Sequence, residues 1–340
     1  MLLSFAIENI PKNIKVRRLL AADVGATKTN IALYDIGLES WKLVKEDKYL
    51  SSAFPGFIAI AEHFLQDTVL PEVMSIGVAG PVLNNKAKLA NLHWEVDGVE
   101  IANYFGIKSV YLLNDLEATA YGLALLEKKD TSIIQEGDAS IQGNAAIIAP
   151  GTGLGEAGLF WNGRNYHPFA TEGGHCDFAP RDSFDVELYT FLQQKFGHVS
   201  WERVLCGPGI VNIYEFLKEM KKMQEPGWLK QEFGKNDAAA MISKYVHDAD
   251  ICLKTMELFV RYLALESANL VLKLKATGGL FIGGGIAPKV LPLLQNGVFR
   301  TNFRQSGRLN YLLDIVPVTV LMNTKTALLG AAFYGAHSSG

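Results

Sequence analysis

Two stretches of this chain follow the same pattern: an apolar strand, a turn of glycine and threonine, and a strand that comes straight back. The first is Leu19-Leu20-Ala21-Ala22-Asp23, turned at Gly25-Ala26-Thr27, with Thr29 to Asp35 returning to a turn at Gly37. The second is Ala145 to Ala149, closed by Pro150-Gly151-Thr152-Gly153-Leu154-Gly155, with Ala157 to Trp161 returning to Asn162-Gly163. Short apolar runs bounded by glycine read as strands, and Asn-Gly after such a run is a hairpin signal. Overlaid, the two blocks put Thr27 opposite Thr152. This is a faint internal duplication, short enough on its own to arise by chance.

The rest of the chain alternates in the same way. Apolar strands are expected at Val73 to Ala79, Val110 to Leu113, Leu280 to Ile282 and Val316 to Leu321. Helical spacing marks Phe57 to Leu65 behind Pro55, about Leu116 to Leu126, Asp185 to Phe196, Gly209 to Met223, Asp237 to Val246, about Asp250 to Leu274 and Thr326 to His337. Strands alternating with helices mean an α/β fold in layers around mixed sheets. At 340 residues the chain is longer than one compact domain usually is, so two domains are expected. No linker of Pro or Ser marks their boundary.

Hydrophobic residues at 49% and charged residues at 20% describe a globular protein with a sizeable core. The formal charge of -3 gives no footprint for nucleic acid or for an anionic membrane. The apolar runs are far shorter than the roughly 20 residues that span a bilayer. Cys176, Cys206 and Cys252 are scattered, which fits reduced thiols in the cytoplasm better than a disulfide framework. Met1 to Arg18 carries its basic residues after its apolar ones, the reverse of a signal peptide.

The chemistry gathers at strand ends. Neither a P-loop ending in Gly-Lys-Ser/Thr nor a dinucleotide fingerprint is present, since Glu156 stands where the third glycine of the latter belongs. Three turns follow apolar strands instead: Asp23-Val24-Gly25-Ala26-Thr27, Gly151-Thr152-Gly153-Leu154-Gly155 and Gly283-Gly284-Gly285-Ile286. Each alone is a weak signal. Together, they point to backbone N–H groups arranged around a nucleotide's phosphates.

These turns, with Leu112-Leu113-Asn114-Asp115-Leu116-Glu117-Ala118, Glu172-Gly173-Gly174-His175-Cys176-Asp177-Phe178-Ala179-Pro180 and Glu202-Arg203-Val204-Leu205-Cys206-Gly207-Pro208-Gly209, make the chain recognisable. From about Leu19 onward it resembles the glucokinases of bacterial type, in the superfamily of hexokinases, actin and heat-shock ATPases. The Glu-Gly-Gly-His and Glu-Arg-Val-Leu stretches discriminate most. The resemblance implies two ribonuclease-H-like lobes with mixed sheets around a deep cleft. The small lobe would take residues 1–126, with 316–340 returning to it, and the large lobe 127–315. Glucose would be held by Asn114, Asp115, Glu172, His175 and Glu202, with the backbone at Gly153. ATP would meet Asp23, Gly25, Ala26, Thr27, Gly151, Thr152 and Gly153, its adenosine beside Gly284 and Gly285. Mg²⁺ would be held mainly by phosphates and water, with Asp23 nearby. A homodimer is implied as well.

That set suits a hexose, whose ring of hydroxyls demands an acceptor for each donor once water is excluded. Asp115 would take the proton of the 6-hydroxyl as general base; its plain alternative is an N-cap for the following helix. Glu202 has its own alternative, a solvated first-turn residue. His175, Cys176 and Asp177 are consecutive, so their side chains diverge, and no protein-bound zinc is expected. Two features depart from the family. Ala26 stands where a second glycine is usual, followed by Lys28, and Met1 to Arg17 extends beyond the usual start, where Leu2 to Ile7 offers an edge strand. The rivals to glucose phosphorylation are a kinase of another hexose, a silent sugar-sensing regulator and an actin-like filament ATPase.

Overall fold

The computed structural model describes residues 3, 5, 17–37, 41–89, 92–138 and 140–338. They divide into two compact units. The first comprises residues 1–128, 164–170 and 323–340, the second 129–163 and 171–322. Of the segment 316–340, therefore, the helix Thr326–Ser338 lies in the first unit and the strand Val318–Leu321 in the second.

The sheet of the first unit is built on β1 (Arg17–Val24), β2 (Lys28–Ile36), β3 (Trp41–Leu50) and β4 (Val73–Val78). Three short strands follow, β5 (Val82–Leu83), β6 (Lys86–Leu89) and β7 (Trp94–Asp97), which form an antiparallel sheet of their own. Then β8 (Ser109–Asn114) returns to the first sheet, giving the order β3-β2-β1-β4-β8. β1 runs antiparallel to β2 and parallel to β4, and β4 parallel to β8. Every residue of β4 is buried, as a parallel strand covered on both faces must be. On one face Leu20, Ala22 and Val24 pack with Phe57, Ile60 and Phe64 of the helix Phe57–Leu65. On the other, Leu19 and Ala21 meet Leu328, Ala331 and Ala332. The strand offered at Leu2 to Ile7 lies outside the described residues except at Leu3 and Phe5. Phe5 bridges to Tyr166 in parallel and its ring lies 5.7 Å from that of Tyr121.

The second unit contains β9 (Thr131–Gln135), β10 (Ala145–Pro150) and β11 (Leu154–Trp161). The strand β12 (Tyr166–Thr171) falls with the first unit up to Ala170. β13 (Gly279–Ile282) and β14 (Val318–Leu321) complete the second unit's order, β11-β10-β13-β14-β9. β10 is antiparallel to β11 and parallel to β13, which is parallel to β14. The order β2-β1-β4-β8 thus recurs as β11-β10-β13-β14, and the faint duplication read in the sequence is a duplication of topology. The helix Asp250–Leu274 lies on this sheet, with Phe259 and Leu263 in one core with Ala146, Ile148, Leu280 and Ile282.

Candidate functional site

In both units the polar residues singled out in the sequence cluster at the carboxyl ends of central strands, where open α/β sheets bind ligands. In the first unit, Val24 pairs with Val78 and Val78 with Asn114, so the Asp23 turn and Asn114-Asp115 stand at one sheet edge, separated only by β4. Two strand spacings make this about 10 Å.

Asn114 and Asp115 have different surroundings. Asn114, buried at the end of β8, is the N-cap of the helix Asp115–Gly122. Its Oδ1 accepts from the N–H groups of Leu116 at 2.9 Å and Glu117 at 3.3 Å, and its Nδ2 donates to the Gly80 carbonyl at 3.1 Å. The capping role weighed for Asp115 therefore belongs to its neighbour. Asp115 is the first helical residue, half-buried, with Oδ1 accepting from the N–H of Leu116 at 3.0 Å. Its helix is fixed from behind. A Cβ on Gly330 would lie 1.7 Å from the Ala118 carbonyl, and one on Gly122 would lie 2.1 Å from that of Thr326. Two glycines let the backbones of the helices Asp115–Gly122 and Thr326–Ser338 touch.

Asp23 is half-buried, and its Oδ2 accepts from Asn30 Nδ2 at 3.1 Å across the β1–β2 pair. Burial pushes its carboxyl up, with Asn30 and the charge of Lys48 acting the other way. Hard carboxylate oxygens are the kind of ligand that suits Mg²⁺, so the chemistry of Asp23 fits such a cation. The turn itself is closed by the Gly25 N–H on the Lys28 carbonyl at 3.0 Å, leaving Thr27 and Lys28 exposed. Ala26 is not among the residues with positive φ. The alanine at a customary glycine position therefore carries no strain, because the turn does not use the left-handed region there.

The second unit brings together Gly151, Thr152, Gly153, Glu172, His175, Glu202, Gly284 and Gly285. Gly284 has φ 78, and a Cβ there would come within 2.3 Å of the Pro150 carbonyl, so only glycine fits where this turn meets the Gly151 turn. The Gly207 N–H donates to the Gly151 carbonyl at 2.9 Å. Glu202 is no solvated helix residue. Half-buried in the 3-10 turn Trp201–Arg203, it accepts the Leu154 N–H on Oε2 at 2.9 Å, and that oxygen lies 2.5 Å from where a Cβ of Gly153 would be. Glu172 and His175 are exposed at the two ends of one tight turn, closed by the His175 N–H on the Glu172 carbonyl at 3.0 Å. The Trp201 N–H in turn donates to the Cys176 carbonyl at 2.9 Å, linking this turn to that of Glu202.

A hollow of about 450 Å³ adjoins the cluster, lined among others by Thr152, Glu202, Phe196, Arg203 and Cys206. The Arg203 guanidinium sits 4.2 Å from the centre of the Phe196 ring. Burial pushes the Cys206 thiol up to about 11, so it stays a neutral thiol and is no nucleophile. Among the described residues no group of three His, Cys, Asp or Glu is placed to hold a metal ion, and no helix is long and apolar enough to cross a membrane. Sequence reasoning missed one residue that bears on the site. Glu156, in β11, lies beneath the Glu172 turn. Its signal was a lone carboxyl in an apolar strand, read only as a missing glycine.

Solved sugar kinases share this architecture. A glucokinase from an Antarctic psychrotroph aligns over 94% of this chain and 99% of its own, with a TM-score of 0.79 and 28% identity. A ROK family glucokinase from Streptomyces griseus, solved with glucose and AMPPNP, covers 94% of this chain and 99% of its own with a TM-score of 0.62. At 18% identity the latter likeness is one of fold. By fold and by the placing of its turns the chain is a sugar kinase of the α/β type. In sequence, the glucokinase of Nostoc punctiforme is 38% identical over 337 residues, 94% of this chain and 98% of that one. The family model described as Glucokinase matches residues 20–338. The chain belongs to the glucokinase family.

Proposed function

We propose that Asp115 is the general base of the reaction this glucokinase-family chain carries out, the transfer of a phosphoryl group from ATP to the 6-hydroxyl of glucose. The observation that carries the reading is the placing of two residues at the end of β8: Asn114 caps the helix, and Asp115 follows as its first residue, a half-buried carboxylate at the carboxyl end of a central strand. In phosphoryl transfer the protein mainly positions groups and neutralises charge, and one group must accept the proton of the nucleophile. Glu172, His175 and Glu202, with Asn114 and the backbone at Gly153, hold the sugar. Glu202 keeps Oε1 for a hydroxyl while Oε2 secures the Leu154 N–H.

The turns at Asp23-Val24-Gly25-Ala26-Thr27 and Gly151-Thr152-Gly153 take the phosphates, and Gly284 and Gly285 lie beside the adenosine. Mg²⁺ would be held mainly by the phosphates and water, with Asp23 the protein group nearby, and would supply neutralisation of the phosphate charge. The glucose and AMPPNP of the Streptomyces griseus protein support this pairing of substrates. The same reading places the protein in the cytoplasm, on its three free cysteines, and makes it a homodimer, on family resemblance; light scattering that gives the mass of one chain removes the dimer. The function is tested by a coupled assay with ATP and glucose, mannose or fructose, run on the wild type and on Asp115→Asn. Glucose should be the preferred acceptor and the variant nearly inactive with it. Preference for another hexose would replace the substrate, and an active variant would remove the base.

A further inference from the structure

Glu156 lies in β11 next to the buried Ala157, Gly158 and Leu159, and is itself 1% exposed. Nothing in the reaction as described requires a carboxyl there. Its Oε1 is shut off from solvent and has no hydrogen-bond partner. Its Oε2 lies under the Glu172–His175 turn, 2.1 Å from where a Cβ of Gly173 would be. The turn is tied to the same residue again through Thr171, whose Oγ1 donates to the Glu156 carbonyl at 2.9 Å and accepts from the Gly173 N–H at 3.2 Å. A second carboxyl, that of the fully buried Glu266, acts on Glu156 from the helix Asp250–Leu274. Glu266 accepts from Asn269 Nδ2 at 2.8 Å and from Lys273 Nζ at 3.3 Å. The half-exposed Lys273 is the cation that acts on both carboxyls, and Arg181 acts on Glu266 alone. Glu172 and His175 are the titratable groups of the turn above.

We propose that Glu156 is a positioning residue for sugar binding, one that seats Gly173, and with it Glu172 and His175, only while it carries its proton. The inference rests on the reading that Glu172 and His175 hold glucose. Two carboxyls buried together do not both ionise readily. Burial pushes the Glu266 carboxyl up as well, but the hydrogen bonds from Asn269 and Lys273 favour its charged form and Glu156 has none, so the proton resides on Glu156. Burial first, and the charge of Glu266 second, push the Glu156 carboxyl up to about 8, with Lys273 opposing. Above that pH a second charge appears beside that of Glu266 with no hydrogen bond to hold it, directly under Gly173.

The test is the pH dependence of the glucose KM. If only the protonated form is competent, a group titrating near 8 loses about ten-fold of that form between pH 7 and pH 9, so KM should rise by about ten-fold with kcat little changed. Glu156→Gln, which mimics the protonated side chain, should keep the KM of pH 7 and hold it flat to pH 9. Glu266→Gln removes the like charge and should bring the rise to lower pH, an arm that decides the matter if Glu156→Gln does not fold. A wild-type KM that stays flat, or a rise of equal size in Glu156→Gln, overturns the proposal. Glu172→Ala and His175→Ala at pH 7 separate the two readings. If neither changes the glucose KM, the sugar-site assignment has failed. If they raise it while Glu156→Gln still shows the wild-type rise, the failure is that of Glu156 alone.

Discussion

Adjacent side chains at the end of β8 differ in their surroundings and in the duties proposed for them, which makes substitutions there informative. Asp115→Asn keeps the size of the carboxylate and leaves the Asn114 cap in place, so thermal melting should scarcely move. Turnover should fall by at least about 10²-fold, the lower range for loss of a general base, while glucose affinity persists. Retention of more than about a tenth of turnover, well outside that range, would remove the assignment. Asn114→Ala should do the reverse to stability, costing about 1 kcal/mol for the cap alone, read from the denaturation midpoint. At Ala26 the backbone does not enter the left-handed region, so restoring the customary glycine gains nothing. Ala26→Gly should lower stability by about 0.4–1 kcal/mol through the unfolded chain and leave kcat unchanged. The raised Glu156 carboxyl also has a sign in stability. Its proton is bound in the folded state and lost from the unfolded chain above the ordinary carboxylate range. The stabilisation is therefore complete at low pH and disappears as pH rises towards about 8. Melting temperatures of the wild type and Glu156→Gln should accordingly diverge across that window.

Among the elements, those with strong periodicity were legible and those with mixed character were not. The helix Asp250–Leu274 is legible close to its bounds because sixteen of its positions are buried, and the central strands because they are largely apolar. β3 was missed since, as Trp-Lys-Leu-Val-Lys-Glu-Asp-Lys-Tyr-Leu at the edge of its sheet, it is mostly exposed and looks like a solvated segment. The short strands β5 to β7 are too brief for any period to show. The site was legible where a residue type announces its chemistry. It was not where support comes from packing, as with the glycines that allow close approach. Gly330→Ala puts a methyl group into the Ala118 carbonyl. It should cost about 1–3 kcal/mol or more by overpacking and lower turnover by shifting the helix that carries Asp115. Gly227→Ala, where nothing lies within 4 Å, serves as the control and should stay within about 0.5 kcal/mol. Glu202→Ala removes the acceptor of the Leu154 N–H as well as the one proposed for the sugar. It should weaken glucose binding by about 1–3 kcal/mol, whereas Glu202→Gln, which keeps an oxygen for Leu154, should lose less. Unchanged glucose KM in both variants would return Glu202 to a purely structural role.

At the scale of the whole molecule, the first unit is assembled from three separate stretches of chain while the second interrupts it. Removing residues 326–338 should leave Leu19, Ala21, Ala32 and Val73 without their cover. The expected result is loss of activity with strong binding of an apolar dye; a truncated protein that remains active and binds no dye would contradict it. The same layout sets a timetable for synthesis. β1, β2, β4 and β8 leave the ribosome early, but the helix that covers their second face follows roughly 200 residues later, on the order of 10–40 s at about 5–20 residues per second. For that interval the nascent sheet is half-dressed and exposed to aggregation, whereas the second unit has all its strands before the covering helix arrives. A pulse-labelled, stalled chain ending before Thr326 should therefore be cleaved by protease within its first unit and protected within its second. In this protein the residue expected to perform the chemistry stands on a helix whose backing is delivered only after nearly everything else has been made.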